Sequence, residues 1–114
     1  MKARMSKPIL AILIPVSILA TGSALGADDA AIEKKAKEVC GACHGPNGNS
    51  PTGPDFPKLA GQHYDYLLHS LKAYKSGARK NAIMAPQAQP LTADEMEGLA
   101  AYYSRQSGTL VTRR

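Results

Sequence analysis

The chain contains two cysteines, Cys40 and Cys43, and the second is followed directly by His44. In a helix, residues three positions apart lie on the same face, so both thiols can reach the two vinyl groups on one edge of a porphyrin. C-x-x-C-H is the spacing at which haem is attached covalently while the histidine ligates its iron. The motif therefore predicts one haem c bound through Cys40 and Cys43, with His44 as an axial ligand of the iron.

A pair of cysteines separated by two residues also occurs in redox-active disulfides and in zinc sites. A structural zinc site needs four ligands, and the chain has no third cysteine. A thioredoxin-like dithiol would not require the adjacent histidine, and it would precede a helix in a chain that also contains strands. Both alternatives explain the motif less completely than haem attachment does.

The second axial ligand has to come from another part of the chain, where two methionines and two histidines are candidates. Met96 lies on the apolar stripe of a predicted helix and is interpreted as a core residue. Met84 lies in a loop stiffened by proline, where its sulfur can be directed at a metal, and a thioether is a known axial ligand in electron-carrying cytochromes. The sequence favours Met84, with His63 and His69 as the remaining alternatives.

With His44 and Met84 both bound, the iron would have no free position for dioxygen, peroxide or a small substrate. Such a centre is suited to outer-sphere transfer of one electron at a time. We therefore expect an electron carrier and not an enzyme. One alternative is a haem subunit that accepts electrons in a larger periplasmic dehydrogenase or oxidase complex. A ligand-binding or peroxidatic haem protein is the third possibility.

Three stretches of apolar residues with helical spacing predict the elements that position these ligands, over about residues 30–43, 63–75 and 92–106. No stretch has the pattern of a strand, so the sequence predicts a small all-α fold of three or more helices wrapped round one haem. The residues expected on the buried stripes are Ile32, Ala36, Val39, Cys40 and Cys43 in the first helix, Tyr64, Leu67, Leu68, Leu71 and Tyr74 in the second, and Met96, Leu99, Ala100 and Tyr103 in the third.

Local signals predict where these helices begin and end. Asp28 or Asp29 can cap the start of the first helix. Gly77 is typical of the end of the second. Thr92 and Glu95 have the spacing of a capping box at the start of the third.

The segments between the predicted helices are rich in proline and glycine. The longest runs from residue 44 to residue 62 and contains four prolines. A loop of this length in so small a domain needs a surface to pack on, and a haem would provide one. We expect a haem c domain over residues 27–106 and a flexible C-terminal tail over residues 107–114.

Residues 1–26 have the pattern of an export signal. Three basic residues within the first seven precede an apolar run from Ile9 to Ala20, and small residues follow up to a cleavage site near Gly26/Ala27. The signal predicts a periplasmic location, as in a Gram-negative type of bacterium. The alternative is a signal retained as an anchor, and only then would membrane association be expected.

The charge of the chain depends on this signal. Lys2, Arg4 and Lys7 are three of the fourteen basic residues, and all nine acidic residues lie beyond residue 27, so removal of the signal would lower the net charge from +5 to +2. This small charge gives no reason to expect nucleic acid as a partner. One basic cluster, interpreted as a solvated helix face and not as a docking patch, consists of Lys72, Lys75, Arg79 and Lys80.

Several blocks of the sequence occur together in a fixed order, namely Cys40-Gly41-Ala42-Cys43-His44-Gly45, Asn47-Gly48-Asn49-Ser50, Phe56-Pro57-Lys58-Leu59-Ala60-Gly61-Gln62, Ser76-Gly77-Ala78-Arg79-Lys80-Asn81 and Met84-Ala85-Pro86. In this order they resemble a class I c-type cytochrome, in particular the single domains of the cytochrome c4 and short c553 type. The resemblance implies an all-α fold whose terminal helices cross, redox proteins as electron donor and acceptor, and no metal other than the haem iron. It also implies that Met84 is the distal ligand and that the carbonyl of Pro54 accepts a hydrogen bond from His44.

Overall fold

The computed structural model describes residues 8–17 and 27–110. In this part of the chain every regular element is helical, as the all-α prediction requires. Residues 8–17 contain no helix and expose their apolar side chains, and the rest of the predicted export signal lies outside the described residues. Within the two described ranges, no helix has both the length and the apolar character needed to cross a bilayer.

The first helical run consists of three consecutive parts: helix α1 (Asp29–Lys35), a π-helical turn (Ala36–Cys40) and helix α2 (Gly41–His44). The Asp28 side chain caps α1 by accepting a hydrogen bond from the amide of Ala30 at 3.1 Å. The run was predicted as one regular α-helix, and that prediction is wrong at the π-helical turn.

The π-helical turn changes which residues face the core. The amide of Gly41 donates to the carbonyl of Ala36, five residues earlier, and the Tyr103 hydroxyl donates to the same carbonyl at 2.9 Å. Val39, predicted on the buried stripe, is 51 % exposed because the wider turn changes the register of the helix face. Cys40 and Cys43 remain half-buried.

The second and third predicted helices are present with boundaries close to those expected: α3 (Tyr64–Ser76) and α5 (Ala93–Ser104). Gly77 ends α3 in the left-handed conformation, with φ of 81°. The capping box of α5 is also confirmed, because the amide of Glu95 donates to Thr92 Oγ1 at 3.2 Å and the amide of Thr92 donates to Glu95 Oε2 at 2.9 Å.

A short helix between them, α4 (Met84–Ala88), was predicted as a loop. The side chain of Asn81 starts it, because Asn81 Oδ1 accepts hydrogen bonds from the amides of Ile83 and Met84, each at 2.9 Å. Pro86 is tolerated because it lies in the first turn, where an amide has no partner within the helix. Helix α4 packs against α3.

The core lies where α1, α3 and α5 pack together. Helices α1 and α5 approach closely at Gly98, where a Cβ atom would lie 2.8 Å from the Ile32 side chain. Lys35 and Glu95 form a salt bridge between the same two helices. The expected contact between the terminal helices is therefore present. The buried core residues are Ile32, Ala36, Leu67, Leu91, Met96, Leu99, Ala100, Tyr102 and Tyr103.

Residues 45–62 form a folded loop beside this core. The carbonyl of Gly48 accepts hydrogen bonds from the amides of Leu59 and Ala60, at 2.7 and 3.1 Å. The start of the predicted C-terminal tail also packs here, because the amide of Thr109 donates to Asn49 Oδ1 at 3.0 Å. Residues 107–110 of the predicted flexible tail thus have a contact with this loop, and residues 111–114 lie outside the described part.

Candidate haem site

His44 is the last residue of α2, and its side chain is only 7 % exposed. Its Nδ1 lies 2.8 Å from the carbonyl oxygen of Pro57. Because this carbonyl can only accept a hydrogen bond, Nδ1 carries the proton and Nε2 keeps its lone pair for a metal. An outer hydrogen bond of this kind orients a ligating imidazole and raises its basicity.

The hydrogen-bond partner of His44 differs from the one predicted. Pro54 was expected to supply the carbonyl, but it lies in a turn in which the amide of Phe56 donates to the carbonyl of Gly53 at 3.3 Å. The chain after this turn brings Pro57 beside the imidazole, and the Phe56 ring packs edge-on against it, with centroids 6.5 Å apart. Pro54 is therefore replaced by Pro57 in this role.

The backbone around His44 is held by residues of the following loop. Gly45 has φ of 86°, and a Cβ atom there would lie 2.5 Å from the carbonyl oxygen of Ser50, so only glycine fits. The amide of Thr52 donates to the carbonyl of Cys43 at 3.0 Å, and its hydroxyl lies 3.3 Å from the carbonyls of Ala42 and Cys43. The sequence gives no indication of this role of Thr52, because a lone threonine in a loop carries no signal of its partners.

Both cysteines are free thiols in the same helical run as His44. Burial raises the pKa of the Cys40 thiol above its ordinary value. Burial also raises the pKa of Tyr103 well above its ordinary range, with Cys40 contributing next. The Tyr103 hydroxyl therefore stays protonated and continues to donate to the carbonyl of Ala36.

The two methionines have different environments. Met96 is 5 % exposed within the core cluster, as predicted for a packing residue. Met84 is half-buried at the first position of α4, outside that cluster. His63 and His69 are both exposed, whereas His44 is buried.

Two members of the basic cluster have partners within the protein. Lys75 Nζ donates to the carbonyls of Gln89 and Leu91, at 2.6 and 2.7 Å. The Arg79 guanidinium lies 4.8 Å from the centre of the Tyr74 ring. These contacts hold both side chains against the protein but leave their charges unchanged, so Lys75 is less solvated than the predicted helix face implies.

The residues present fit a haem c. Two thiols with C-x-x-C spacing supply the atoms for thioether bonds, and the adjacent imidazole has its Nε2 available for iron. A methionine outside the core supplies a candidate thioether ligand. In the described residues, no group of three or more His, Cys, Asp or Glu side chains could bind a separate metal ion.

The helical fold and this set of donors define a small haem-binding protein of the cytochrome type. Residues 30–105 match the family model described as Cytochrome c, and the chain belongs to the cytochrome c family. It is therefore a class I c-type cytochrome, whose cofactor is covalently bound haem c with iron.

The similar proteins include cytochrome c4 of Stutzerimonas stutzeri, which is 41 % identical over 115 residues covering 93 % of this chain and 53 % of the relative. The crystal structure of reduced recombinant cytochrome c4 from Pseudomonas stutzeri matches with a TM-score of 0.64 and 41 % identity, over 73 % of this chain and 47 % of that one. The thiosulfate dehydrogenase electron acceptor of Thiomonas intermedia is 42 % identical over 66 residues, 58 % of this chain and 30 % of the relative. The chain thus spans about half the length of the cytochrome c4 relatives it matches.

Proposed function

We propose that the protein carries one electron at a time on a single haem c, attached through Cys40 and Cys43, with His44 and Met84 as axial ligands of the iron. The observation that carries this proposal is the arrangement at His44. Its imidazole is buried, its Nδ1 is bound to the carbonyl of Pro57, and its Nε2 remains free beside two unpaired cysteines.

When bound, the haem supplies an iron that changes between its ferric and ferrous states while its coordination is retained. The chain contributes the orientation of the ligands. Pro57 fixes the ring of His44, and Thr52 holds the backbone at Cys43. A thioether ligand from Met84 favours the ferrous state relative to an imidazole and so raises the reduction potential. Saturation of both axial positions would leave electron transfer and not substrate chemistry as the function.

We place the protein in the periplasm. Residues 1–26 have the pattern of an export signal with cleavage near Gly26/Ala27, and Ala27 already packs against the core cluster. Ala27, the first residue after the predicted cleavage site, is thus part of the folded domain and would be retained after removal of the signal. Mass determination of the protein purified from its native host tests this directly, because cleavage gives a chain that starts at or near Ala27, whereas an intact leader contradicts it.

Redox partners would meet the protein through exposed apolar residues next to the proposed ligands, Ala42 beside Cys43 and Ile83 and Pro86 near Met84. All three residues are exposed, and the Ile83 side chain is 54 % exposed beside Met84. The competing surface is the basic cluster, but Lys75 and Arg79 have contacts within the protein. We therefore expect the rate of electron transfer with the physiological partner to depend weakly on ionic strength.

Charge reversal at Lys72 and Lys80 tests this surface without breaking the internal contacts of Lys75. Both residues are exposed, so Lys72→Glu and Lys80→Glu change the surface charge alone. Electron-transfer rates close to those of the wild type, at low and high salt, support the apolar surface. A steep fall of the rate with added salt, removed by these substitutions, would assign docking to the basic cluster.

A second candidate is a haem subunit that accepts electrons within a larger enzyme complex. The similarity to a thiosulfate dehydrogenase electron acceptor favours it. The native mass distinguishes the two candidates, because a free carrier elutes at the size of one small domain and a subunit elutes with its catalytic partner.

Spectroscopy and potentiometry test the proposed function itself. The ferric protein should show the long-wavelength charge-transfer band of a sulfur-to-iron bond, and a redox titration should follow a one-electron curve. Absence of the band together with fast binding of exogenous ligands would favour a ligand-binding or peroxidatic haem protein.

A further inference from the structure

The segment that carries Met84 is held by side chains at both of its ends. At the start, Asn81 Oδ1 accepts hydrogen bonds from the amides of Ile83 and Met84, each at 2.9 Å. This contact fixes the backbone of Met84 directly. It acts within the segment, however, and does not attach the segment to the rest of the protein.

The attachment to the rest of the protein is made at the other end. Lys75, in the last turn of α3, donates to the carbonyls of Gln89 and Leu91, at 2.6 and 2.7 Å. The Gln89 side chain returns a hydrogen bond from its Nε2 to the carbonyl of Lys75 at 2.8 Å. Three hydrogen bonds thus connect the end of α3 with the residues that follow α4, and we call them the Lys75–Gln89 clamp.

The clamp is stronger than its position at the surface suggests. Two of its three bonds have an ammonium donor, and charged donors form stronger hydrogen bonds than neutral ones. Lys75 is half-buried, whereas its neighbour Lys72, one turn earlier on the same helix, is exposed. Near the clamp, Ala88 is fully buried and Leu91 belongs to the core cluster. The three hydrogen bonds add to this packing in holding the end of α4 on α3.

We propose that Lys75 and Gln89 are positioning residues that keep the Met84 sulfur on the haem iron by holding α4 against α3. The inference rests on the proposed function, in which Met84 is the axial ligand. The Met84 sulfur leaves the iron more readily when α4 can move, and local opening is easier where few contacts resist it. Removal of the clamp should increase the population of the form in which the iron is open, while α1, α3 and α5 remain folded.

The test compares Lys75→Ala with Lys72→Ala in the ferric holoprotein. Both substitutions remove one lysine from α3, but only the first removes clamp bonds. Loss of two bonds to a charged donor should accelerate cyanide binding about tenfold or more and weaken the sulfur-to-iron band, whereas Lys72→Ala should leave both unchanged. Lys75→Arg, which can donate to two carbonyls, should restore much of the band.

Gln89→Ala provides a second variant in case Lys75→Ala folds poorly, because it removes one bond of the clamp and keeps the charge. We expect a smaller acceleration of cyanide binding in the same direction. If Lys75→Ala and Gln89→Ala both bind cyanide at the wild-type rate with an intact band, the clamp does not position Met84. A lower denaturation midpoint with unchanged ligand binding would likewise assign Lys75 a role in stability only.

Met84→Ala separates failure of this inference from failure of the proposed function. Loss of the band in Met84→Ala, combined with no effect of the clamp variants, overturns the inference and leaves Met84 as the ligand. Retention of the band in Met84→Ala overturns the proposed function, and with it the inference.

Discussion

The contact between α1 and α5 and the loops around His44 are stabilised in different ways. At the helix contact, Ile32, Met96 and Leu99 are buried, and protein side chains alone fill the interface. In residues 45–62 only Gly45, Gly48 and Ala60 are buried, and the loop is held by backbone hydrogen bonds. The helices thus provide a core, while the loops provide the ligands and depend on a cofactor to complete their packing.

This difference predicts that loss of the thioether bonds affects the loops most. Cys40→Ala and Cys43→Ala together should abolish covalent attachment, so that colour leaves the polypeptide on acid and organic extraction, and hydrogen exchange should rise more in residues 45–62 than in α5. Mass spectrometry of the intact chain checks the attachment. Haem that remains covalently attached in the double variant would contradict the assignment of the two cysteines.

Two glycines with positive φ allow a comparison of the loop with a helix end, although Gly45 has ψ of 158° and Gly77, in the left-handed conformation, has ψ of 4°. Gly45 and Gly77 have φ of 86° and 81°, so alanine is strained at both positions. At Gly77 a Cβ atom meets nothing within 4 Å, but at Gly45 it would lie 2.5 Å from the Ser50 carbonyl oxygen. Gly77→Ala should cost about 1 kcal/mol of unfolding free energy. Gly45→Ala should lower the unfolding free energy several times more, which denaturant titration measures. Equal losses for the two variants would show that the loop can move to accommodate the Cβ atom at Gly45.

Two adjacent tyrosines test how the helix contact supports the haem motif. Tyr103→Phe removes the hydroxyl that donates to Ala36 in the π-helical turn, a buried hydrogen bond of 2.9 Å. We expect a loss of about 1 to 2 kcal/mol and faster exchange of the Gly41 amide. Tyr102→Phe is the control, because its longer bond of 3.3 Å to Pro46 is partly exposed and should matter less. If the two substitutions have the same effect, the hydroxyl of Tyr103 has no special role at the turn.

The smallest effect is expected at the salt bridge between α1 and α5. The hydrogen bond from Lys35, and next that from the Thr92 amide, lower the pKa of Glu95 below its ordinary value. A lowered folded-state pKa stabilises the protein above the unfolded pKa, and this contribution disappears as the pH falls through the folded value. Glu95→Gln keeps the capping box but should cost roughly 0.2 to 1 kcal/mol at neutral pH and make stability less dependent on pH below about pH 5. If urea titrations show that the unfolding free energy of Glu95→Gln falls with decreasing pH as steeply as that of the wild type, Glu95 does not have this role.

The sequence predicted those features whose determinants lie close together in the chain. The capping box of Thr92 and Glu95 and the end of α3 at Gly77 are local patterns, and both are confirmed. Prediction of the C-x-x-C-H motif as a haem c site is likewise a local inference, and the family match supports the cofactor.

The incorrect predictions have different causes, and the first is a contact between distant residues. The π-helical turn is supported by the hydroxyl of Tyr103, 67 residues from Ala36, and neighbouring residues give no indication of it. Pro57, and not Pro54, is the hydrogen-bond partner of His44, because Pro54 lies within the turn from Gly53 to Phe56. The sequence alone does not show which of two nearby prolines such a turn places beside the imidazole. Helix α4 did have a local signal that was missed, because Asn81 can cap a first turn that contains Pro86.

The most direct test of the proposed site compares Met84→Ala with Met96→Ala in the purified holoprotein, measuring the sulfur-to-iron band, cyanide binding and the denaturation midpoint. Met84→Ala should lose the band and bind cyanide readily, while Met96→Ala should keep the band and lose about 2 to 5 kcal/mol of unfolding free energy, because Met96 is buried in the core. The reverse pattern, with the band lost on substitution of Met96 and retained on substitution of Met84, would contradict the assignment of Met84 as the axial ligand.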